Sequence, residues 1–325
     1  MKRKSLIILF FSITTILYSQ TSKKTGISRA HLQEFQKNLI INGETGGNVI
    51  VVSKNGEVVY KHIENSNKIG DKTITDQTLF PVWSMTKPIT TVAALILKEK
   101  NLLDFDDTVS KYIPIFKNLM CKSKEGIVPC KNEIKIIDLI THLSGLSYYK
   151  DFMLDGMRAK SLEDLMHDIV EHPLEFEPGE SYFYGLGHDV LGRVIEVVSG
   201  VSFQAFMQTY IFEPLEMNHT KFFLTPKEKE LMLPLFVRNE KIEGFNETGI
   251  TGINDLITYD MEFKVAYGSL GLISTPKDFS NFCSMIINRG KFKNKRILSP
   301  ESVYELIVRY ADGPHSNDND FMGFS

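Results

Sequence analysis

Two side chains three residues apart carry the clearest chemical signal in this sequence. Ser84 opens the run Ser-Met-Thr-Lys-Pro, and the lysine of that run, Lys87, precedes a long apolar stretch over residues 89–97. Residues three apart lie on the same face of a helix, so an amine and a hydroxyl at this spacing can contact each other without help from the rest of the fold. Such a pair is typical of a serine nucleophile that a lysine activates.

The spacing alone is weak, because Ser-x-x-Lys also occurs at Ser147 and at Ser274. Ser147 lies in a predicted aromatic loop, and Ser274 begins a run with the form of an ordinary helix start. Ser84 differs because apolar residues precede it and a long apolar helix follows, which predicts a buried junction between a strand and a helix. A free lysine has a pKa of about 10.4, so a lysine base must be kept from water or sit beside other cations. The alternative is a solvated lysine in a surface turn.

A second group of residues contains a candidate proton carrier. The run Pro-Gly-Glu-Ser-Tyr-Phe-Tyr that ends at Tyr184 predicts a turn and an aromatic loop, and residues 188–199 predict an amphipathic helix. A free tyrosine has a pKa near 10, so Tyr184 would relay a proton only beside a cation such as Lys87. For His188 and Asp189, which follow the loop, helix capping or packing is the favoured role.

Four segments together resemble the serine β-lactamase and D-alanyl-D-alanine peptidase superfamily, on its class C side. The run at Ser84 matches the nucleophile motif of the family, and the run that leads to Tyr184 matches its tyrosine motif. Ile-Thr-His-Leu-Ser-Gly-Leu at 140–146 and Gly-Ser-Leu-Gly-Leu-Ile-Ser-Thr at 268–275 resemble two further family segments. The matches follow the family order and cover roughly residues 40 to 310.

The resemblance implies a role for each site residue and a fold. Ser84 would be the acylated nucleophile, and its backbone N–H would form half of the oxyanion hole. Lys87 would be the base partner and Tyr184 the proton relay. The family fold is α+β, an antiparallel sheet flanked by helices with a helical subdomain, and the site lies in the cleft between them. No cofactor or metal is expected, and the substrate would be a small ester, a cell-wall peptide or a β-lactam.

Two departures from the family pattern bear on function. Leu186 stands where the family has an asparagine that can hydrogen-bond a substrate amide, and Tyr-x-Leu followed by His-Asp-Val-Leu-Gly resembles the family VIII carboxylesterases. This favours small esters over peptides or β-lactams. Nothing after residue 275 matches the third family motif, and a Lys-Thr-Gly at 24–26 is interpreted as a coincidence. The chain therefore resembles a hydrolase without its last strands and final helix, either a fragment or a shortened relative that does no catalysis.

The composition is that of an ordinary globular protein. Of the 325 residues, 42% are hydrophobic and 24% are charged, and a net charge of −3 without any basic block gives nucleic-acid binding no support. The sequence contains neither the Gly-x-Ser-x-Gly of a Ser-His-Asp esterase nor the His-Glu-x-x-His of a zinc hydrolase. Residues 1–20 have the form of a secretory signal peptide, which predicts a periplasmic or secreted protein with no stable membrane span after processing. An uncleaved membrane anchor is the alternative.

Export to an oxidising compartment favours disulfides. Cys121 and Cys130 bracket a short polar stretch and are predicted to pair. Cys283 lies in an apolar helical pattern and is predicted to be a buried free thiol.

The elements that must position the site come from distant parts of the chain. An Asn-Gly at 55–56 between β-branched runs predicts a hairpin, and residues 84–100 predict the helix of the nucleophile. Residues 101–265 are interpreted as a helical subdomain, and 21–100 together with 266–325 as a discontinuous, truncated sheet domain. A sheet without its last strands would keep an unpaired edge.

Overall fold

The computed structural model describes residues 28–54, 57–68, 71–148, 159–233, 236–238, 245–247, 259 and 265–308. The predicted signal peptide and the Lys-Thr-Gly at 24–26 lie outside these residues. In chain order the helices are α1 (Arg29–Ile41), α2 (Thr86–Glu99), α3 (Ile136–Ile140), α4 (Leu162–Val170), α5 (Gly187–Ser199), α6 (Phe203–Met207), α7 (Pro226–Lys229), α8 (Pro276–Ile287) and α9 (Pro300–Ile307). Single 3₁₀ turns cover Trp83–Met85, Val109–Lys111 and Pro114–Phe116, and a π-helical turn covers Gln208–Phe212.

The strands of the described residues form five antiparallel pairs. In chain order they are β1 (Gly47–Lys54), β2 (Glu57–Asn65), β3 (Phe80–Pro81), β4 (Met120–Ser123), β5 (Gly126–Pro129), β6 (Phe236–Arg238), β7 (Phe245–Glu247), β8 (Ile273–Ser274), β9 (Lys291–Phe292) and β10 (Lys295–Arg296). The pairs are β1–β2, β3–β8, β4–β5, β6–β7 and β9–β10. The α+β class with antiparallel strands and flanking helices is as predicted, and the strands make separate pairs rather than one continuous sheet.

The predicted hairpin is present as β1 and β2, which pair from Gly47 opposite Asn65 to Lys54 opposite Glu57. Helix α1 lies against it through the buried Gln36, whose side-chain amide donates to Asn48 Oδ1 at 2.8 Å. Helix α8 packs against β1 from the other end of the described chain. The hairpin is therefore held between helices from distant parts of the sequence.

Helix α2 lies at the centre of the hydrophobic core. Because of its apolar run, α2 is buried from Ile89 to Leu97. Each fully buried Val, Leu or Ile side chain stabilises the fold by about 1.5–3 kcal/mol. Helix α5 packs against α2, α3, α4 and α6, and ends at Gly200 in the left-handed conformation that glycine adopts readily. One continuous cluster of buried side chains joins all these helices.

Segments from both ends of the described chain meet beside α2. Strand β3 pairs with β8, with Phe80 opposite Ser274 and Pro81 opposite Ile273. The Val82 N–H donates to the Leu272 carbonyl at 3.0 Å, and α9 packs against α2. The division into a sheet domain of 21–100 with 266–325 and a helical subdomain of 101–265 stays a prediction.

The cysteines follow the sequence prediction at two positions and depart from it at one. Cys121 on β4 and Cys130, which follows β5, form a disulfide with Cα atoms 5.1 Å apart. The prediction of a buried thiol at Cys283 is wrong, because this residue is exposed on α8. The core-facing side chains of α8 include Phe282 and Met285, and Cys283 is rotated from Phe282 by one residue, about 100° around the helix axis.

Among the described helices, no single one has the length and apolar composition needed to cross a bilayer. The bent pair Gly187–Ser199 and Phe203–Phe212 meets those criteria together, with 80° between its two parts.

Candidate active site

Ser84 lies in a tight turn between β3 and α2. The turn is a single 3₁₀ turn over Trp83–Met85, and Ser84 is exposed while Lys87, in the first turn of α2, is fully buried. The turn is tied to the β8 side by Thr86 Oγ1, which accepts the Leu272 N–H at 3.2 Å. Trp83 has a φ of +42°, a conformation that is strained for a bulky side chain and is often found at functional sites.

Three predicted site residues meet at the Ser84 hydroxyl. Lys87 Nζ lies 3.2 Å from Ser84 Oγ, and the Tyr184 hydroxyl lies 2.6 Å from the same atom. Lys87 Nζ also lies 4.4 Å from the centroid of the Tyr184 ring, in a cation–π contact. A hydroxyl between an amine and a phenol can pass its proton to either neighbour, so this arrangement is suited to nucleophilic attack by Ser84.

The Lys87 amine is enclosed by protein. Its side chain has 0% relative exposure, and besides Ser84 it donates to the Ser269 carbonyl at 2.9 Å. The alternative of a solvated lysine in a surface turn is therefore excluded by the structure. The burial that the chemistry demands is provided by α2, by α5 and by the segment around residue 269.

The Tyr184 hydroxyl is placed by contacts between two loops. Its ring lies 4.5 Å from the His142 ring and 6.1 Å from the Tyr148 ring, measured between centroids. The N–H of Phe183 donates to the His142 carbonyl at 3.0 Å. A Cβ at Gly185 would come within 2.0 Å of the Leu146 carbonyl oxygen, so only glycine permits the two loops to approach this closely.

Two residues beside the site were not predicted to take part. Asp189 Oδ1 accepts the Ser269 N–H at 3.0 Å, and the carbonyl of the same Ser269 accepts the hydrogen bond from Lys87. Burial raises the pKa of Asp189 from 3.8 to about 6, against the opposing effects of the Ser269 hydrogen bonds and the Lys87 charge. The one sequence signal for Asp189 is its position, since it places a carboxylate between His188 and Val190 among the buried residues of α5.

His188 has a packing role, as the sequence favoured. It is fully buried, and its Nε2 lies 3.3 Å from Thr91 Oγ1. Burial, followed by the neighbouring His142 and Lys87, lowers the pKa of His188 well below its ordinary 6.5. The ring is therefore neutral at pH 7 and adds no charge to the site.

Leu186, at the family's asparagine position, belongs to the hydrophobic core. It is 2% exposed and immediately precedes α5. Its side chain therefore contributes packing and offers no hydrogen bond to a substrate.

The other Ser-x-x-Lys runs are not comparable sites. Ser274 is buried in β8, where its hydroxyl lies 2.8 Å from Thr220 Oγ1, and Thr275 caps α8 by accepting the Asp278 N–H. Ser147 is buried, and the Lys150 that would partner it lies outside the described residues.

The part of the chain that the structure describes contains one group of three possible metal ligands, Cys121, Cys130 and Glu177, and its two sulfur atoms are joined in the disulfide. It therefore offers no thiolate to a metal.

An open apolar groove adjoins the nucleophile turn. It has a volume of about 450 Å³ and runs between β1 and the β3–β8 pair. Its lining includes Val51 of β1, Phe80 of β3, Met85 of the nucleophile turn, and Phe279 and Cys283 of α8.

Comparison with known proteins gives related sequences and related folds. A profile of the family named Beta-lactamase matches residues 29–319. Two proteins that carry the provisional name D-alanyl-D-alanine carboxypeptidase, from Salmonella heidelberg strain SL476 and Salmonella typhimurium strain LT2, are each 26% identical over 297 residues. Each alignment covers 84% of this chain and 67% of the relative, so the chain spans about two thirds of their length.

The solved structures with a similar fold have several activities in their descriptions. EstCE1, described as a hydrolase with promiscuous acyltransferase activity, has a TM-score of 0.67 and 23% identity over 85% of this chain and 75% of its own. An octameric penicillin-binding protein homologue from Pyrococcus abyssi has a TM-score of 0.68 and 23% identity, covering 92% and 64%. Simvastatin synthase from Aspergillus terreus has a TM-score of 0.70 and 20% identity, covering 88% and 74%.

At these identities the structural likeness shows a shared fold, and the family follows from the profile match. Because that match extends over residues 29–319, the chain belongs to the beta-lactamase family, a family of serine hydrolases.

Proposed function

We propose that this protein is an exported serine hydrolase that forms an acyl-enzyme on Ser84 and hydrolyses small carboxylic esters. One observation carries the proposal: Ser84 Oγ lies within hydrogen-bond distance of both the buried Lys87 amine, at 3.2 Å, and the Tyr184 hydroxyl, at 2.6 Å. The geometry lets the serine lose its proton as it attacks, without a metal or an imidazole.

In the acylation step, Ser84 Oγ attacks the ester carbonyl carbon and its proton passes to the Tyr184–Lys87 pair. The backbone N–H of Ser84 donates to the oxygen that becomes negatively charged. The bond from the carbonyl carbon to the alkoxy oxygen then breaks. The Tyr184 hydroxyl gives the proton to the leaving alcohol, and the acyl group remains on Ser84.

In the deacylation step, a water molecule attacks the acyl carbon of the Ser84 ester. The Tyr184–Lys87 pair takes one proton from this water and returns a proton to Ser84 Oγ as the acyl bond breaks. One ester and one water thus give one carboxylic acid and one alcohol, and the enzyme is restored.

The ester preference is supported by the surroundings of Ser84. Leu186 is buried in the core and cannot bind a substrate amide. The groove beside Met85 is mostly apolar, and Trp83 and Phe183 are exposed large side chains near the same turn. An acyl chain fits such a surface better than a polar peptide does.

A second candidate function is cleavage of D-alanyl-D-alanine peptides or β-lactams. The Salmonella relatives favour it, since they carry a carboxypeptidase name at 26% identity.

Export is part of the proposal. It is supported by the signal-like sequence of residues 1–20 and by the Cys121–Cys130 disulfide, a bond typical of oxidising compartments. N-terminal sequencing of protein recovered from the periplasm or the medium tests it. A chain that stays inside the cell and begins at Met1 would contradict export.

A fluorophosphonate probe tests the nucleophile. The folded wild type is expected to be labelled on Ser84, and Ser84→Ala is expected to lose the label. Ser147→Ala is the matched control, because Ser147 begins another Ser-x-x-Lys run, and this variant should be labelled like the wild type. A folded wild type that takes up no label overturns the acyl-enzyme proposal and favours the relative that does no catalysis.

Substrate comparison tests the ester preference. We expect p-nitrophenyl acetate and butyrate to have kcat/KM values roughly 100-fold above those of a chromogenic cephalosporin and of diacetyl-lysyl-D-alanyl-D-alanine. The reverse order would assign the protein to the peptidase or β-lactamase activity instead.

A further inference from the structure

The backbone of one residue lies between the Lys87 amine and a buried carboxylate. The Ser269 carbonyl accepts from Lys87 Nζ at 2.9 Å, and the Ser269 N–H donates to Asp189 Oδ1 at 3.0 Å. Both side chains have 0% relative exposure. Lys87 and Asp189 are therefore linked through Ser269 in a region that water does not reach.

The segment that carries Ser269 is fixed from several sides. The Thr90 hydroxyl donates to the Gly268 carbonyl at 2.7 Å, and a Cβ at Gly268 would come within 2.2 Å of the His188 carbonyl oxygen. Helices α2 and α5 pack against each other around this segment. The direction of the Ser269 carbonyl is thus set by its neighbours, and with it the direction of the hydrogen bond that Lys87 makes.

The buried Asp189 carboxylate is compensated by its neighbours. A buried carboxylate is costly to the fold unless an opposite charge or hydrogen bonds compensate it. The hydrogen bonds from Ser269, followed by the charge of Lys87, favour the ionised form of Asp189. With a folded pKa of about 6, Asp189 is an anion at neutral pH.

We infer that Asp189 is a positioning residue for the reaction. It holds the Ser269 backbone so that the Lys87 amine points at Ser84 Oγ. Asp189 acts through Ser269 and Lys87 rather than on the substrate. The inference deepens the proposed function and rests on it for the catalytic consequence alone.

Other titratable groups share this environment, and the experiment must keep them unchanged. They come from α2, α4, α5 and the loops that carry Tyr148 and Tyr267. Those that interact with Asp189, or with groups that interact with it, are Lys87, His142, Tyr148, Asp168, Tyr184, Tyr267 and His188.

Two substitutions at Asp189 separate the charge from the hydrogen bond. Asp189→Asn keeps an oxygen that can accept the Ser269 N–H but removes the charge, and Asp189→Leu removes both. Asp278→Asn is the matched control, because Asp278 is also buried and also accepts a backbone N–H, that of His219 at 2.7 Å. Near-UV circular dichroism establishes that each variant is folded.

The first readout is the distance from Lys87 Nζ to Ser84 Oγ in crystal structures of the variants, which is 3.2 Å in the wild type. Asp189→Leu is expected to lengthen it beyond hydrogen-bond distance, because the Ser269 backbone loses its anchor. Asp189→Asn and Asp278→Asn should leave the distance unchanged. A folded Asp189→Leu protein with the wild-type distance overturns the inference.

The second readout is the rate of Ser84 acylation by p-nitrophenyl acetate against pH. Asp189→Asn should leave the plateau rate within about threefold, because its oxygen still accepts the Ser269 N–H. Asp189→Leu should lower the plateau rate by about tenfold at unchanged KM, because the Ser269 backbone loses its anchor. A folded Asp189→Leu protein with the wild-type plateau overturns the positioning role.

The two readouts separate the failure of this inference from the failure of the proposed function. If no reagent acylates Ser84 of the wild type, the proposed function fails, while the distance from Lys87 Nζ to Ser84 Oγ still decides the role of Asp189. If Asp189→Leu does not fold, Asp189→Ala, which also removes the acceptor of the Ser269 N–H, decides by the same distance.

Discussion

The two sides of Ser84 are built in opposite ways. On one side lie Lys87, Ser269 and Asp189, buried and joined by hydrogen bonds of 2.9 and 3.0 Å. On the other side lies the groove beside Met85, open to solvent and lined mostly by apolar side chains. Buried polar groups are stable only when hydrogen-bond partners hold them in a fixed geometry. An open apolar surface does not restrict the positions of its side chains as closely.

The difference indicates where the molecule tolerates change. The buried side determines the path of the proton, so each of its groups depends on the others. The groove side would contact the bound substrate, and its residues depend less on one another than those of the buried side do. Substitutions on the buried side should therefore have the larger effects.

Loss of the amine should have the largest effect. Lys87→Met keeps an apolar chain in the buried space but removes the base, and we expect acylation of Ser84 to slow by roughly 10³-fold. Stopped-flow measurement of the first turnover with p-nitrophenyl acetate checks it. Lys100→Met, an exposed lysine just beyond the same helix, should change the rate little. A Lys87→Met protein within tenfold of the wild type would contradict the assignment of the base.

The buried carboxylate should make stability depend on pH. Asp189 has a folded pKa of about 6 against an ordinary 3.8, chiefly because of burial, so between these values the folded state binds a proton that the unfolded state has lost. The unfolding free energy should therefore fall as pH rises through this window, by about 3 kcal/mol from this group. Denaturant unfolding at pH 4, 5, 6 and 7 checks it.

Asp189→Asn should lack that part of the pH dependence. Some slope should remain, because burial also raises the pKa of Asp138 to about 6, and Asp138→Asn should remove that share. Equal slopes in the wild type and Asp189→Asn would mean that the carboxylate is not buried in solution.

Removal of one hydroxyl should have the next largest effect. Tyr184→Phe keeps the ring that packs on His142 and contacts Lys87, so the fold should persist, but the proton relay is lost. We expect acylation to slow by roughly 10²-fold. Tyr182→Phe, on the same loop, is the control and should stay within about threefold of the wild type. A fully active Tyr184→Phe would leave Lys87 as the sole proton acceptor.

The close approach at Gly268 can be tested against a second glycine. Gly268→Ala places a Cβ 2.2 Å from the His188 carbonyl oxygen, and we expect it to lower the unfolding free energy by about 2 kcal/mol. At Gly192, within α5, a Cβ meets Leu162 Cδ1 at 3.4 Å, so Gly192→Ala should raise stability by up to about 1 kcal/mol. Thermal denaturation of both variants checks the contrast, and equal effects would contradict the tight fit at residue 268.

The sequence was informative where the contacts are local. Ser84 and Lys87 are one helical turn apart, so their contact follows from spacing and an apolar helix. Tyr184 is 100 residues from Ser84, and its role came from the family resemblance rather than from any local pattern. The β3–β8 pair depends on which distant segments meet, which periodicity does not encode.

The same reasoning explains what was missed. Asp189 and Ser269 are 80 residues apart and meet through a backbone N–H, which no side-chain motif reveals. An acid in the first turn of a helix is also what favourable interaction with the helix dipole would place there, so Asp189 resembled an ordinary helix start. Cys283 was misjudged because the apolar positions of α8 form a wide stripe, and Cys283 falls at its edge.

Substitution or chemical labelling on the groove side should have the smallest effect. The exposed Cys283 thiol is a group on that side that a reagent can reach. Cys121 and Cys130 are joined in the disulfide, so a maleimide should react with the native protein at Cys283 alone, slowly because partial burial raises the pKa of this thiol above its ordinary 9.0. Cys283→Ser should change the unfolding free energy by less than about 0.5 kcal/mol.

The labelled protein should then acylate Ser84 within about twofold of the unlabelled rate when the substrate is an acetyl ester. The physical reason is that the maleimide adds bulk at the rim of an open groove and leaves the Lys87 and Tyr184 contacts with Ser84 in place. A control with Cys283→Ser should take up no label. If labelling stopped acylation, the groove would be coupled to the nucleophile turn through Met85, and the independence of the two sides of Ser84 would be wrong.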